Sequence, residues 1–464
     1  MQTLLFFDDW CLESYQNVER KLGSPQWVEE AHFVDPGYAL SCFYPSVFWD
    51  DALGRWRAFY ISWTDRGTDA PLSSLATAES EDGIHWQVPD LSKRFPDPAR
   101  TRKNQVFQAG AGTEPGSVYL DQREPNPARR YKLLYLPGDY TEYVAGRAVH
   151  RLAVSADGYR WQPVEGVSWG DWLSDAPNSI YYNQHRDTYV TPCRPEWGER
   201  HIGLVETRDW RRWSKPEVVI HPDPLDQPLL QFYGMPVFPY EGMYVGLLWL
   251  MHCDPQEIRG DKMRGPIDCQ LAYSYNGWHF NRSLRHPFIP LNEPGKLGSG
   301  GIYPSSLCVD KDNVVRIYSH TRRTEHHRKG EDEQNRGLSL HTLRLDGFTY
   351  LDSTTALGRV ITRCLLFDEP LLKINVQAPV GDVVTQITDE AGQPLEGLSL
   401  EDSVPFRGDE LFWEPHWKSG KSLQDVLGRV VRVEVQMYRG RLFAIRGGFR
   451  ILDLMTRVRL PKVG

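Results

Sequence analysis

The sequence predicts an all-β chain, a five-bladed β-propeller over residues 1–352 followed by a β-sandwich over 353–464. Three observations lead there. The first is a recurrent turn: Ser80-Glu81-Asp82-Gly83-Ile84-His85-Trp86, Ser155-Ala156-Asp157-Gly158-Tyr159-Arg160-Trp161, Thr207-Arg208-Asp209-Trp210-Arg211-Arg212-Trp213, Ser274-Tyr275-Asn276-Gly277-Trp278-His279-Phe280 and Asp346-Gly347-Phe348. Asp closes such a turn through its side chain, Gly takes the positive φ, and the aromatic that follows can wedge against the next unit. A unit recurring every roughly 50 to 75 residues, five times over, is a blade repeat. The second observation is a pair of strand patterns inside each repeat, and the third is that helical periodicity is hard to find anywhere in the chain.

Each blade opens on a small-residue or Pro-marked strand and continues into a second, aromatic-rich one. Tyr44-Pro45-Ser46-Val47-Phe48 leads to residues 56–63, Glu114-Pro115-Gly116-Ser117-Val118-Tyr119 to 131–135, and Asp175-Ala176-Pro177-Asn178-Ser179-Ile180 to 188–191. Tyr233-Gly234-Met235-Pro236-Val237-Phe238 leads to 244–249, and Gly301-Ile302-Tyr303-Pro304-Ser305-Ser306 to 314–318. Pro is tolerated at a strand start because the missing N–H costs nothing there. Among the first 40 residues, Leu4-Leu5-Phe6-Phe7 is the best candidate for the strand that closes the last blade. Beyond Asp352 the turn repeat stops, and residues 371–376, 382–388, 430–438 and 441–445 alternate in hydrophobicity as sandwich strands do.

Composition narrows the function classes. A net charge of −8, with the basic stretch 320–329 followed at once by Glu331, Asp332 and Glu333, argues against nucleic acid as a partner. No apolar run is long enough to span a membrane or to form a signal-peptide core, and seven scattered cysteines show no disulfide framework. The expectation is an intracellular, reduced, cytoplasmic protein without cofactor. The 16 Trp and 22 Tyr suit strands and also suit stacking on sugar rings, which makes an oligosaccharide the expected partner.

Propeller strands alternate in direction, so the start of each inner strand and the exit of each second strand share one face. The hairpins fall on the other face, which makes His85, His279, Asp82 and Asp157 structural. Inner-strand starts contribute Glu114 and Asp175, with Tyr44, Tyr233 and Tyr303 in the equivalent places; the exits contribute Arg66, Asp139, Arg194, Glu196, His252, Asp254, His320 and Arg322. Glycoside cleavage needs two carboxyl groups across the scissile bond, one to donate a proton and one to act as base or nucleophile. Glu114 and Asp175 are the leading candidates, with Glu196 and Asp254 next; Tyr44, Arg66, Asp139, Arg194, Tyr233, His252, His320 and Arg322 are the candidate substrate-binding set. Asp8 and Asp9 read as structural if residues 4–7 form the closing outer strand, the favoured reading, whereas an inner strand there would make one of them the nucleophile. His320, His326 and His327 lack the spacing of a metal motif, so no metal is expected.

The opening Leu5-Phe6-Phe7-Asp8-Asp9-Trp10, residues 231–240, Pro287-Phe288-Ile289-Pro290-Leu291, Leu345-Asp346-Gly347-Phe348 and Gly397-Leu398-Ser399-Leu400-Glu401-Asp402 resemble bacterial proteins described as glycoside hydrolase family 32-like. The resemblance runs along essentially the whole chain. It implies the propeller-plus-sandwich architecture of fructan- and arabinan-active enzymes and a furanoside substrate. Family 32 enzymes proper carry Asn-Asp-Pro-Asn-Gly, Arg-Asp-Pro and Glu-Cys motifs; none occurs here, so no catalytic residue carries over. The expected function is hydrolysis of a glycosidic bond at the end of an oligosaccharide. Two alternatives stand beside it: a non-catalytic glycan-binding propeller, and a phosphorylase that holds phosphate on the 320–329 loop.

Overall fold

The computed structural model describes residues 1–63, 73–93, 95–96, 101–108, 114–136, 150–167, 169, 174, 179–195, 199–254, 264–326 and 335–453, with the Glu114 side chain outside the description. Strands dominate, and five four-stranded blades are present. The first comprises Leu40–Asp50, Arg55–Trp63, Ser73–Ser80 and Gln105–Phe107. The second comprises Glu114–Leu120, Tyr131–Leu136, Arg151–Ser155 and Gln162–Val164, and the third Tyr181–Asn183, Thr188–Cys193, Ile202–Thr207 and Glu217–Ile220. In the fourth, Leu230–Gly234 and Val237–Tyr240 together form the inner strand beside Met243–His252, Ile267–Ser274 and Asn281–Ile289. The fifth has Gly301–Val309, Val314–Arg322 and Arg336–Arg344, and its outer strand is Gln26–Phe33, antiparallel to Arg336–Arg344. No helix among the described residues is long and apolar enough to cross a membrane.

Two sequence expectations are corrected by this pairing. Residues 4–7 do not close the last blade, because Gln2–Leu5 pairs with Gly440–Ile451. The chain divides into one unit of residues 25–343 and another of residues 1–24 with 344–464, so the boundary is neither at 352 nor a single cut. The second unit is a nine-stranded sheet that folds back on itself. Its 24-residue strand Leu365–Thr388 pairs with Val430–Tyr438 through both ends, enclosing a core that includes Phe367, Ile374, Val383, Val433 and Phe449. Asp8 accepts from Trp10 N at 2.8 Å and Asp9 pairs with Arg20, so both are turn and ion-pair residues of this unit.

The recurrent turn has one construction at four of its five sites. Gly83 N and Gly158 N each donate to the preceding Ser Oγ at 2.9 Å, Gly277 N does so to Ser274 Oγ at 2.9 Å, and Trp210 N to Thr207 Oγ1 at 3.1 Å. Asp82, Asp157, Asp209 and Asn276 each accept from the two backbone N–H groups that follow, at 2.8–3.0 Å. Three of these turns dock on the preceding blade through their carbonyls. Arg316 Nη1 and Tyr318 OH reach Asp82 O and Gly83 O at 2.6 and 3.0 Å. Arg57 Nη1 reaches Asp157 O at 2.6 Å, and Tyr181 OH reaches Gly277 O at 2.7 Å. The fifth turn differs: Asp346 is buried and pairs with Arg446 inside the second unit.

Neighbouring inner strands are also tied together at the axis, at three of the junctions by serines. Ser306 Oγ accepts from Val47 N at 2.8 Å and donates to Pro45 O at 2.7 Å; Ser46 Oγ accepts from Val118 N at 3.0 Å, and Ser179 Oγ from Val237 N at 3.0 Å. Each bond joins one inner strand to the next. The fourth blade has Pro236 in the serine position, and there Trp249 Nε1 donates to Pro304 O at 2.9 Å instead.

Candidate functional site

All five inner strands run the same way along the axis, so the propeller has two distinct mouths. At the hairpin end a cavity of about 520 Å³ is lined by Ser46, Ser117, Ser179, Ser305, Ser306 and the residues that follow them. The Ser46, Ser179 and Ser306 hydroxyls there are spent on closing the ring. The opposite mouth is where the inner strands begin.

Tyr44, Tyr233 and Tyr303 lie a few residues into the inner strands of blades one, four and five, and the structure brings them together around Trp249. Tyr44 stacks on Trp249 with centroids 5.4 Å apart, Tyr233 does so at 6.4 Å, and Tyr303 meets it edge-on at 5.5 Å. A local irregularity aims these rings. Register shifts fall between Phe43 and Ser46, between Phe232 and Gly234, and between Pro304 and Ser306, each next to a tyrosine. A bulge re-aims side chains beside a site, and Tyr44 sits at φ 45°, a conformation costly for a bulky residue.

A cationic layer surrounds this aromatic floor. The Arg194 guanidinium lies 4.5 Å from the Tyr233 ring centre and donates to Tyr233 O at 2.7 Å; that of Arg200 lies 5.0 Å from the same ring. From the fifth blade, Arg322 Nη1 lies 3.3 Å from His326 Nδ1, and Tyr303 OH lies 3.1 Å from the same nitrogen. Arg can only donate, so Nδ1 accepts and the His326 proton sits on Nε2. His320 is buried, stacks on Phe43 at 4.3 Å, and turns Nδ1 to Cys42 O at 3.2 Å.

These surroundings shift the titrations apart. Burial alone would raise the Tyr233 phenol, but Arg194, Arg200 and a hydrogen bond from Tyr44 hold it below its ordinary value. Tyr44 is pushed up by burial and by Tyr233 and Tyr303, and Tyr303 is raised chiefly by burial. His320 is driven well below the ordinary imidazole value by burial, with Arg336 and Arg322 adding to it, so the ring is neutral. Its Nδ1–H goes to the Cys42 carbonyl, and Nε2 is left as an acceptor with no partner among the described residues.

Of the residues the sequence nominates, Tyr44, Arg194, Tyr233, His320 and Arg322 lie in this cluster. His252 stands on the wall, with Nε2 3.0 Å from Asp268 Oδ2 and Nδ1 2.7 Å from Gln227 Nε2. Asp254 is exposed and its backbone N bonds Arg264 O at 3.1 Å. Asp175, Glu196, Arg66 and Asp139 lie outside the described residues, as does the side chain of Glu114. Sequence reasoning missed Trp249, Arg200, Arg336 and Asp268. Arg200 follows the same second-strand exit as Arg194, so the rule that found one could have found the other. Trp249 sits in an unbroken apolar run and reads as core. Among the described residues no group of three or more His, Cys, Asp and Glu is arranged to hold a metal.

No protein-family model and no curated protein matches the sequence. Solved structures resemble it at low identity. A structure described as a glycoside hydrolase is 14% identical with a TM-score of 0.47, over 70% of this chain and 92% of that one. A glycosyl hydrolase from Bacteroides ovatus is 15% identical with a TM-score of 0.43, over 72% and 95%. A fructofuranosidase from Schwanniomyces occidentalis complexed with fructosylnystose is 9% identical with a TM-score of 0.43, over 91% and 97%. Likenesses at this level leave the chemistry to be argued from the site.

Proposed function

We propose that the chain is a glycoside hydrolase that works at the inner-strand mouth of the propeller, on the end of a furanoside-type or related oligosaccharide. The observation that carries this reading is the convergence of Tyr44, Tyr233, Trp249 and Tyr303 beneath Arg194 and Arg322. The half-buried Tyr44 ring offers a stacking face to a sugar, with Tyr233, Trp249 and Tyr303 buried behind it, and guanidinium groups supply directed donors for the sugar's oxygens. In this proposal Glu114, at the start of the inner strand of the second blade, and Asp175, six positions ahead of Tyr181 in the sequence, are the carboxyl pair. One protonates the leaving oxygen. The other attacks the anomeric carbon or activates a water, according to whether the separation is about 5 Å or about 6.5–9.5 Å.

A second reading has its own support. Two described carboxylates that follow second-strand exits or face them are already engaged, Asp268 with His252 at 3.0 Å and Glu325 with Arg264 at 2.9 Å, as suits a glycan-binding propeller without catalysis. One experiment separates the two: sugar release from a panel of furanosides and pyranosides, with and without phosphate, by wild type, Glu114→Gln and Asp175→Asn. A hydrolase releases sugar without phosphate, and each variant falls by about a hundredfold or more while remaining folded. Release only with phosphate makes it a phosphorylase. Binding without release makes it a glycan-binding protein and removes both carboxylates from their roles.

A further inference from the structure

We infer that the cavity at the hairpin end of the axis is a second ligand site, distinct from the inner-strand mouth, and that it takes an uncharged mono- or disaccharide. The inference is independent of the hydrolase reading and stands on the residues that line this cavity.

Its volume of about 520 Å³ falls within the about 300–1,000 Å³ that small-molecule sites occupy. All five blades contribute to its wall, and every lining residue belongs to the propeller unit. The charge of the wall sets the class of ligand. Among the described residues no Lys, Arg or His lines the cavity, and Glu241 is the one ionisable acid. An anion there would meet a carboxylate with no cation to offset it, so the wall selects against acidic sugars and phosphates.

The hydroxyls of Ser46, Ser179 and Ser306 are committed between strands, so recognition falls to the groups around them. Leu120 supplies a backbone donor. Val118 N leaves the inner strand for Ser46 Oγ at 3.0 Å, while Asp121 N turns the other way, to Arg130 O at 2.7 Å. Strand alternation therefore turns Leu120 N the same way as Val118 N, off the free edge of the blade. Gln122, two residues on, and Gln184, just past the third inner strand, line the same cavity. Both are exposed, and their side-chain amides have no partner among the described residues. A carboxamide donates and accepts at once, which matches a sugar hydroxyl.

Trp49, near the end of the first inner strand, supplies apolar surface. Of the described tryptophans only Trp10 and Trp49 are exposed, at 43% and 41%. The Arg363 guanidinium lies 5.5 Å from the Trp10 ring centre, whereas the Trp49 ring meets Trp56 at 73° with centres 5.9 Å apart. Edge-on support of this kind leaves ring surface for the C–H face of a sugar. Uncovered indole, unpartnered amides and a wall without cations together describe a neutral saccharide.

The test is calorimetric titration of the full chain with neutral mono- and disaccharides, each paired with the uronate that carries a carboxylate in place of its primary alcohol. At least one neutral sugar should bind, and its uronate about tenfold more weakly or worse. Trp49→Ala should weaken the neutral sugar by about tenfold, and Trp49→Phe, which keeps a flat ring, should retain most of the affinity. Gln122→Ala combined with Gln184→Ala should weaken it to a similar extent. That double variant alters exposed side chains alone, so it reads the site even if Trp49→Ala does not fold, and circular dichroism checks each variant. Three results would overturn the proposal: no neutral sugar binds, the uronate binds as tightly as its twin, or binding is unchanged in Trp49→Ala or in the double glutamine variant. Sugar release by Glu114→Gln and Asp175→Asn tests the hydrolase reading separately, so either can fail without the other.

Discussion

Replacing Gly158 by Ala tests whether the recurrent turns hold the propeller together or merely reverse the chain. Gly158 sits at φ +71°, and a Cβ there would lie 2.6 Å from Arg57 Nη1 and 2.8 Å from Phe59 Cζ. Arg57 is fully buried and is the residue that bonds this turn through Asp157 O at 2.6 Å. The new methyl therefore pushes away the group that docks the turn. Positive φ for a non-glycine residue costs about 1–2 kcal/mol, overpacking about 1–3, and a disturbed charged hydrogen bond about 1.5–3, which together give about 3.5–8 kcal/mol. Gly242 is the internal control, because it has φ +80° and nothing within 4 Å of the added Cβ. Gly242→Ala should cost only the conformational part, about 1–2 kcal/mol. Equilibrium urea denaturation followed by tryptophan fluorescence reads both. If Gly158→Ala costs no more than Gly242→Ala, the docking argument is wrong. A double variant adds a sharper check: once Arg57→Met has removed the guanidinium, Gly158→Ala should cost markedly less than it does alone.

Other consequences are read by the same denaturation method. Ser306→Ala strands the buried Val47 N–H and Pro45 carbonyl and should cost about 1–3 kcal/mol, whereas a cost near zero would remove the serine from ring closure. Asp346→Asn leaves Arg446 buried without its charge partner and should cost about 3–5 kcal/mol; a mild effect would mean that Asn375 and the Leu345 carbonyl suffice to hold the turn. Burial lowers His150 to about 3 and His341 to about 4, and lowers His320 as well. The unfolded chain then takes up protons near pH 6.5 that the folded chain does not, so stability is full above that pH and falls as pH drops. The limiting slope is about 1.4 kcal/mol per pH unit for each histidine, and His341→Gln should remove one such share between roughly pH 6 and 4. An unchanged slope would show that His341 is protonated in the folded state.

The sequence made the turns legible because their logic is local. Ser or Thr, then Asp or Asn, then a residue at positive φ are all within three positions, and the side chains answer the backbone N–H groups beside them. The tyrosines at the inner-strand starts were legible for a related reason, since strand alternation alone fixes which face they share. What stayed hidden depends on distant partners. Asp346 looked like a fifth copy of the turn, but its partner Arg446 lies 100 positions away. Gln26–Phe33 closes the fifth blade through pairs such as Trp27 with His341, and nothing in its own pattern distinguishes it from Gln2–Leu5, which pairs elsewhere.

The two mouths of the propeller are coupled through one short stretch of chain. Tyr44 holds an unfavourable φ of 45°, and the residues immediately after it are fixed by the neighbouring blades on both sides. Pro45 O and Val47 N are bonded by Ser306 of the fifth blade, and Ser46 Oγ by Val118 N of the second. A strained residue persists only where its surroundings over-determine it. Here the surroundings are the serines that close the ring, spent at the hairpin end of the axis. The same bonds that close the propeller therefore keep the Tyr44 ring against Trp249 at the other end. On this argument the aromatic floor is a product of the five blades closing together, and no single blade could have presented it alone.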